Sequence, residues 1–312
     1  MHAIVTGGAG FIGSHVVDAL LERGDTVTVV DNLSRGRTAR LPADIDLRQV
    51  DITDPDAITS VVADTRPEVI FHLAAQIDVR TSVTDPVHDA AVNVGGTINV
   101  LEAARGVGAK LVYASTGGAL YGRDVPLPTP EHTLPEPEAP YGTAKYCAEQ
   151  YLGLFNRLYD TQHAALRMGN IYGPRQDPGG EAGVIGIFCG RLFAGERPTI
   201  FGDGKTTRDY VYVADAVSAF LAAGDSERGG VWNIGTGRET SILQLVKHVC
   251  RSAGHVAEPV FAAARAGELE RSVLDVAAAE QDLRWKATVP IEEGIPRVYE
   301  WVAWGQDDRA GR

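Results

Sequence analysis

Short apolar runs alternate with longer stretches of helical periodicity through the first 167 residues. Ala3-Ile4-Val5 is an apolar, partly β-branched run that predicts a buried strand. A helix follows, with Phe11, Ile12, Val16, Val17, Leu20 and Leu21 on its inward face. Further strands are predicted at Thr26–Val30, Leu47–Val50, Glu68–Ala75 (running into a small-residue loop), Lys110–Ala114 and Ala164–Arg167. Long helices are predicted over 86–105 and from Pro140, suited to a first helical position, to about Tyr159. This alternation predicts an α/β fold, a Rossmann-type doubly wound parallel sheet. From Met168 the texture changes: Gly169, Gly173, Pro174, Pro178, Gly179, Gly180 and Gly183 cluster, and shorter elements follow. These are strands at Arg208–Val213 and Val231–Ile234, and helices at Ala214–Ala223, Ser241–Ser252 and Ile291–Trp304, before a polar tail expected to fray. The division expected is a nucleotide-binding domain over 1–167 and a smaller, discontinuous α/β domain over 168–312. Residues 209–228 are expected to pack back on the first.

The turn between the first strand and helix carries Gly7, Gly10 and Gly13 at three-residue intervals. Without Cβ atoms the backbone can approach a diphosphate, whose charge suits the free N–H groups of a helix N-terminus. Phe11, Ile12 and Gly13 open that helix. Asp31-Asn32 closes the second strand, about twenty residues on, where an acid accepts both ribose hydroxyls of an adenosine and repels a 2′-phosphate. That favours NAD, with Arg35 and Arg37 pulling toward NADP. Asp51-Ile52, after the third strand, is placed to contact the adenine amine. Leu73, Ala74 and Ala75 would let backbone pass close to the pyrophosphate. His72, just before them, is read as a satisfied strand-end histidine.

At 312 residues the chain has room for one large or two coupled domains. Its formal charge of −12 argues against nucleic acid or anionic membrane as partners. No run approaches the ~18 apolar residues of a membrane span, and the first residues, already used as a strand, lack a signal-peptide pattern. Cys147, Cys189 and Cys250 have no metal-ligand spacing, so no metal is expected, and they read as reduced packing residues of a cytoplasmic enzyme.

The sharpest chemical pattern is Tyr141-Gly142-Thr143-Ala144-Lys145. Four residues apart on a helix, the two side chains share a face. A nearby ammonium favours phenolate, which would bring Tyr141 toward working pH as a general base for a sugar hydroxyl. Ser115-Thr116 lies at a strand end, facing the cofactor crevice of such a sheet, and Thr116 could bond the same oxygen, with Ser115 in reserve.

With these residues in view the chain resembles the extended short-chain dehydrogenase/reductases, and within them the UDP-glucose (UDP-galactose) 4-epimerases. The resemblance rests on TGGAGFIG at 6–13, DN at 31–32, DI at 51–52, HLAAQ at 72–76, Asn93 with Gly96-Thr97 and STGGALYG at 115–122. It continues through YGTAK at 141–145, GNIYGPRQ at 169–176, FGDGKTTRDYVYVAD at 201–215, NIGTG at 233–237 and RAGE at 265–268. It implies NAD as cofactor, Asn93 among its contacts, Lys145 on the nicotinamide ribose, and a UDP-sugar as substrate. For the sugar nucleotide it implies Asn170, Arg208, Arg265 and Glu268, with Thr199 and Phe201 along the uracil. Arg175 and Gln176 share the loop after Asn170. Some relatives carry a third hydroxyl where this chain has Gly117, and a bulkier residue at Ser272. A small residue there resembles versions that also admit N-acetylhexosamines. The activity implied is inversion at C4 through a 4-keto sugar. UDP-glucuronate 4-epimerisation is the nearest alternative. A 4,6-dehydratase commonly has Asp-Glu after the Thr, where Gly117-Gly118 stand, and an idle NAD-binding regulator would not need both Tyr141 and Lys145. A homodimer through the helices at 86–105 and 140–159 is also implied.

Overall fold

The computed structural model describes residues 1–177, 183–254, 256–264 and 269–310. Its strands are β1 (His2–Thr6), β2 (Thr26–Val30), β3 (Asp46–Arg48), β4 (Val69–His72), β5 (Lys110–Thr116), β6 (Ala164–Met168), β7 (Asn170–Tyr172), β8 (Thr199–Phe201), β9 (Thr207–Arg208), β10 (Tyr210–Tyr212), β11 (Gly230–Ile234), β12 (Thr240–Ser241) and β13 (Val260–Ala262). The helices are α1 (Phe11–Glu22), α2 (Pro55–Thr65), α3 (Val79–Thr84), α4 (Pro86–Ala90), α5 (Thr97–Val107), α6 (Pro140–Tyr159), α7 (Val184–Phe193), α8 (Val213–Asp225), α9 (Ile242–Ala253), α10 (Ala277–Leu283) and α11 (Ile291–Ala310).

Seven strands form one parallel sheet in the order β11-β6-β5-β4-β1-β2-β3. The order reverses between β1 and β4, which opens a crevice beyond the carboxyl ends of those two strands. Alternation along β1 divides the core. Ala3 and Val5 pack on one face with Val16, Leu20 and Phe220, from α1 and α8. Ile4 packs on the other with Leu101, Leu152 and Phe155, from α5 and α6. Each of the larger of these side chains contributes about 1.5–3 kcal/mol on burial. The smaller lobe pairs β7 with β10, β8 with β13 and β9 with β12, and packs α7, α9 and α11 together.

Local signals explain the helix boundaries. Asp54 caps α2 by accepting from Ala57 N, with Pro55 in the first turn. Ser241 and Gln244 form a reciprocal capping box on α9. Pro140 opens α6 and Asp160, in the left-handed region, closes it.

Four expectations need correction. The helix expected over 86–105 is broken by a π-helical segment, Ala91–Gly96, between α4 and α5. Arg208–Val213 is two strands, β9 and β10, in different pairings. Val231–Ile234, expected in the smaller domain, lies in β11 and pairs with β6 at the edge of the main sheet. The last helix continues through Ala310, past Trp304. On the same side of the sheet, α8 lies against α1 and the main strands.

One buried ion pair ties these elements together. Arg167 on β6 donates to both carboxylate oxygens of Glu149 on α6, at 2.7–3.1 Å. The Ser115 hydroxyl donates to the same carboxylate. Arg167 also donates to Tyr121 Oη at 2.8 Å and the Glu131 carbonyl at 3.0 Å, and Tyr121 donates to Asn233 on β11 at 2.8 Å. Arg167→Met would leave a buried carboxylate uncompensated and is expected to destabilise the fold by about 3–5 kcal/mol, read from urea unfolding. Breaking the surface pair Arg48–Asp46 should leave the midpoint unchanged.

Candidate active site

The glycine turn is shaped by close approach. Gly7 has φ +69°, and a Cβ on it would lie 2.7 Å from Ala74 N. A Cβ on Gly13 would lie 2.2 Å from the Gly7 carbonyl oxygen. Gly10 stands in the N-cap position of α1 with no side chain to cap it. The first amides of α1 therefore have no capping acceptor and suit an anion. Phe11 and Ile12 line the adjoining cleft. Asp31 is buried, and its two oxygens accept from Ala9 N at 3.0 Å and Leu33 N at 2.8 Å, tying the end of β2 to the turn. Each oxygen keeps a second lone pair. Arg37 pairs with Asp177, and Arg35 lies 3.9 Å from Asp78. Asn32 donates to Asp51 at 2.8 Å, Ile52 is buried, and the Ile52 carbonyl accepts from Asn99.

Past β4, Leu73 N donates to the Thr6 carbonyl and Ala74 N to the Thr6 hydroxyl, so half-buried Leu73, Ala74 and Ala75 run beside the glycine turn. His72 is buried between Thr6 at 2.6 Å and Thr97 at 3.1 Å. Burial, with Lys145 nearby, pushes its pKa down to about 3, so it is a neutral, satisfied strand-end residue. Asn93, expected at the cofactor, is instead enclosed. Its amide donates to the Gln76 carbonyl (2.9 Å) and Asp89 (3.0 Å), and its oxygen accepts from Gln76 N (3.0 Å). The π-helical segment carries it beneath the 73–76 loop, where its donors are spent.

Tyr141 and Thr116 share a wall of one cleft of about 290 Å³, with Phe11, Ile12, Met168, Asn170, Gln176 and Tyr210. The Tyr141 amide donates to Ser82 Oγ at 3.1 Å. Lys145 is buried, donates to the Ala114 carbonyl at 3.0 Å, and stands 4.7 Å from the Tyr113 ring centroid and 5.9 Å from that of Tyr141. The electrostatics differ from the expectation. Burial, with Asp89 adding to it, pushes the Tyr141 phenol up rather than down. Burial pulls Lys145 down to about 8, against the opposing pull of Asp89 and Glu149. Burial is the largest influence on both groups.

Ser115 and Thr116 part company at the end of β5. The Ser115 hydroxyl is turned into the core on Glu149, while Thr116 Oγ1 stays at the cleft and accepts from Ala119 N at 3.3 Å. Gly117 is a glycine for a reason: a Cβ there would lie 2.6 Å from the Leu274 side chain. On the smaller lobe, Asn170 is exposed at the cleft, its amide held by the Asp209 carbonyl at 2.7 Å. Arg208 is half-buried and donates to the Thr207 carbonyl, Thr199 accepts from Arg191, and Phe201 is 41% exposed. Thr199, Phe201 and Arg208 do not line the cleft around Tyr141. Arg265 and Glu268 lie outside the described residues. Arg175 pairs with Asp18 on α1, 2.7 Å away. Sequence reasoning missed Tyr210, Met168, Asp89 and Glu149. Only Glu149, one turn beyond Lys145, gave a local signal.

A doubly wound sheet, an uncapped glycine turn at its switch point and a Tyr–Lys helix beside it define a dinucleotide-binding α/β protein. Comparison with known proteins narrows the class. A profile of the NAD dependent epimerase/dehydratase family matches residues 3–235. UDP-glucose 4-epimerase of Mycolicibacterium smegmatis is 46% identical over 308 residues, covering 96% of this chain and 98% of that one. The crystal structure of Thermotoga maritima UDP-glucose 4-epimerase with UDP-glucose is 45% identical, with a TM-score of 0.96 over 98% of this chain and 100% of that one. The Thermus thermophilus enzyme, solved with NAD, is 41% identical, with a TM-score of 0.90 over 97% and 99%. The chain belongs to the NAD dependent epimerase/dehydratase family.

The turn geometry yields a direct test. Gly13→Ala forces a methyl against the Gly7 carbonyl and should weaken NAD binding about tenfold or more, about 1.4 kcal/mol, measured by titration with the fluorescent reduced dinucleotide.

Proposed function

We propose that the protein inverts C4 of a UDP-hexose, interconverting UDP-glucose and UDP-galactose with NAD retained through the cycle. The observation that carries this reading is one cleft walled by the uncapped start of α1, the Tyr141 ring and the Thr116 hydroxyl, with Lys145 directly behind. The cradle fits NAD: Gly7, Gly10 and Gly13 admit a diphosphate, Asp31 has lone pairs free for ribose hydroxyls, and Arg35 and Arg37 face carboxylates. Asn32, Asp51, Ile52 and Leu73–Ala75 complete its walls. Bound there, NAD supplies a reversible hydride acceptor and, when oxidised, a positive ring beside the phenol.

Tyr141 removes the 4-hydroxyl proton as C4 is oxidised, and Thr116 orients the same oxygen by hydrogen bond. Lys145 keeps positive charge next to the phenol through the step. The 4-keto sugar then turns its other face by pivoting about the diphosphate, and Tyr141 returns the proton as C4 is reduced with inverted configuration. Asn170, Arg208, Thr199, Phe201, Arg265 and Glu268 are the residues we assign to the sugar nucleotide, in a smaller domain over 168–312. Gly117 and Gly118 offer no carboxylate for eliminating water, which speaks against a dehydratase. The reading also places the enzyme in the cytoplasm, in galactose metabolism, and free Cys147, Cys189 and Cys250 support a reducing compartment. It further assigns a homodimer through the helices at 86–105 and 140–159, supported by exposed Val87 on α4 and exposed Leu154 and Leu158 on α6.

The deciding experiment offers purified protein a panel of UDP-sugars, including UDP-GalNAc and UDP-glucuronate, without added NAD, and reads product stereochemistry by NMR. UDP-glucose should yield UDP-galactose; no inversion at C4 of any sugar sinks the reading. Tyr141→Phe should lower kcat by about 10²–10⁴ while NAD content is unchanged. Sedimentation as a monomer at micromolar concentration would remove the dimer.

A further inference from the structure

Behind Lys145 lies a carboxylate that the steps above leave unused. Asp89 is on α4, immediately before the π-helical segment, and is 1% exposed. Its Oδ1 accepts from the side-chain amides of Gln76 at 2.7 Å and Asn93 at 3.0 Å, while Oδ2 is buried with no hydrogen-bond partner. A buried carboxylate with neutral donors on one oxygen and none on the other is costly unless a cation compensates it. The packing of α4 against α6 brings Lys145 into its field. Lys145 has the matching need, since among the described residues its one hydrogen bond is to the neutral Ala114 carbonyl.

The groups around Lys145 leave a single candidate for its counter-charge. On β4, His72 is neutral. On β5 and α6, burial pushes the Tyr113 and Tyr141 phenols up, so neither is a standing anion; Tyr141 gives up its proton only for the reaction, when oxidised NAD would place positive charge beside it. Glu149 spends both oxygens on Arg167, and His88, next to Asp89, is exposed. Among the described residues, Asp89 is the carboxylate acting on Lys145 that has no cation of its own.

We propose that Asp89 is a positioning residue for the epimerase reaction: it holds Lys145 as a cation and, through Gln76 and Asn93, fastens that charge to the loop bearing Leu73–Ala75. The proposal rests on the roles given above to Tyr141 and Lys145. Removing the negative charge disfavours the ammonium, so Lys145 loses its proton at lower pH.

The chain has only five lysines, at 110, 145, 205, 247 and 286, so ¹³C-lysine NMR can follow Lys145 directly. Its resonance is assigned by its loss in Lys145→Met. In Asp89→Asn the Lys145 midpoint should fall by about one pH unit, a tenfold change in proton affinity. The alkaline limb of kcat should move down with it, with less than a twofold change in KM for the sugar nucleotide, and Asp89→Glu should restore both. An unshifted midpoint overturns the proposal. A thermal-melting cycle gives a second reading. Asp89→Asn should lower Tm in the parent but raise it in Lys145→Met, where the carboxylate has lost its cation. Failure to raise it there also overturns the proposal, even if Asp89→Asn alone does not fold. Neither the titration nor the melting needs turnover, so an inactive parent would count against the epimerase reading alone.

Discussion

The contact between Arg167 and Glu149 sets the geometry on which the rest depends. Tyr141 and Lys145 ride on α6, whereas Thr116 stands at the end of β5, and nothing in the local chain relates the two. Glu149 does so, because it lies on the same helix face as Lys145 and grips both the Ser115 hydroxyl and the Arg167 guanidinium. The pair is buried, and each of its side-chain nitrogens and oxygens has a partner, which is the condition for a buried ion pair to stabilise one arrangement over others. Tyr121 and Asn233 extend the network to β11, so the outer strand of the sheet is fastened to the helix that carries the phenol.

Much of this was legible in the sequence because it is encoded locally. The glycine turn, the Tyr–Lys spacing and the start of α6 at Pro140 all depend on neighbours a few residues away. What was not legible depends on contacts between distant segments. The strand at Gly230–Ile234 reads the same whether it joins the large sheet or the small lobe, and only pairing with β6 decides. The enclosure of Asn93 was not legible either, because its motif tells of proximity to the cofactor loop, and not of which atoms spend its donors. The rise of the Tyr141 phenol was not legible for a related reason. Spacing places a cation near a ring, but burial depth sets what the cation can do, and that is a property of the whole fold.

Charge is distributed economically around the cleft. The chain carries a net charge of −12, yet a diphosphate must be accepted at its centre. The attraction comes from backbone amides at the start of α1, without a basic surface, while the arginines nearby are engaged by Asp18, Asp78 and Asp177. An anion is thereby selected by shape and by oriented dipoles.

The wide turn at Ala91–Gly96 has a consequence for how this chain can vary. Each residue of an α-helix advances the rotational phase by about 100°. Restoring a regular α-helix by deleting one residue would therefore swing α4 about a quarter-turn relative to α5. Asp89 and Ser82 would leave the wall they share with α6, although no side chain of the cleft had been altered. The length of this segment therefore matters to the cleft although none of its residues lines it. Indels here should be purged by geometry, long before any residue that touches a ligand is replaced.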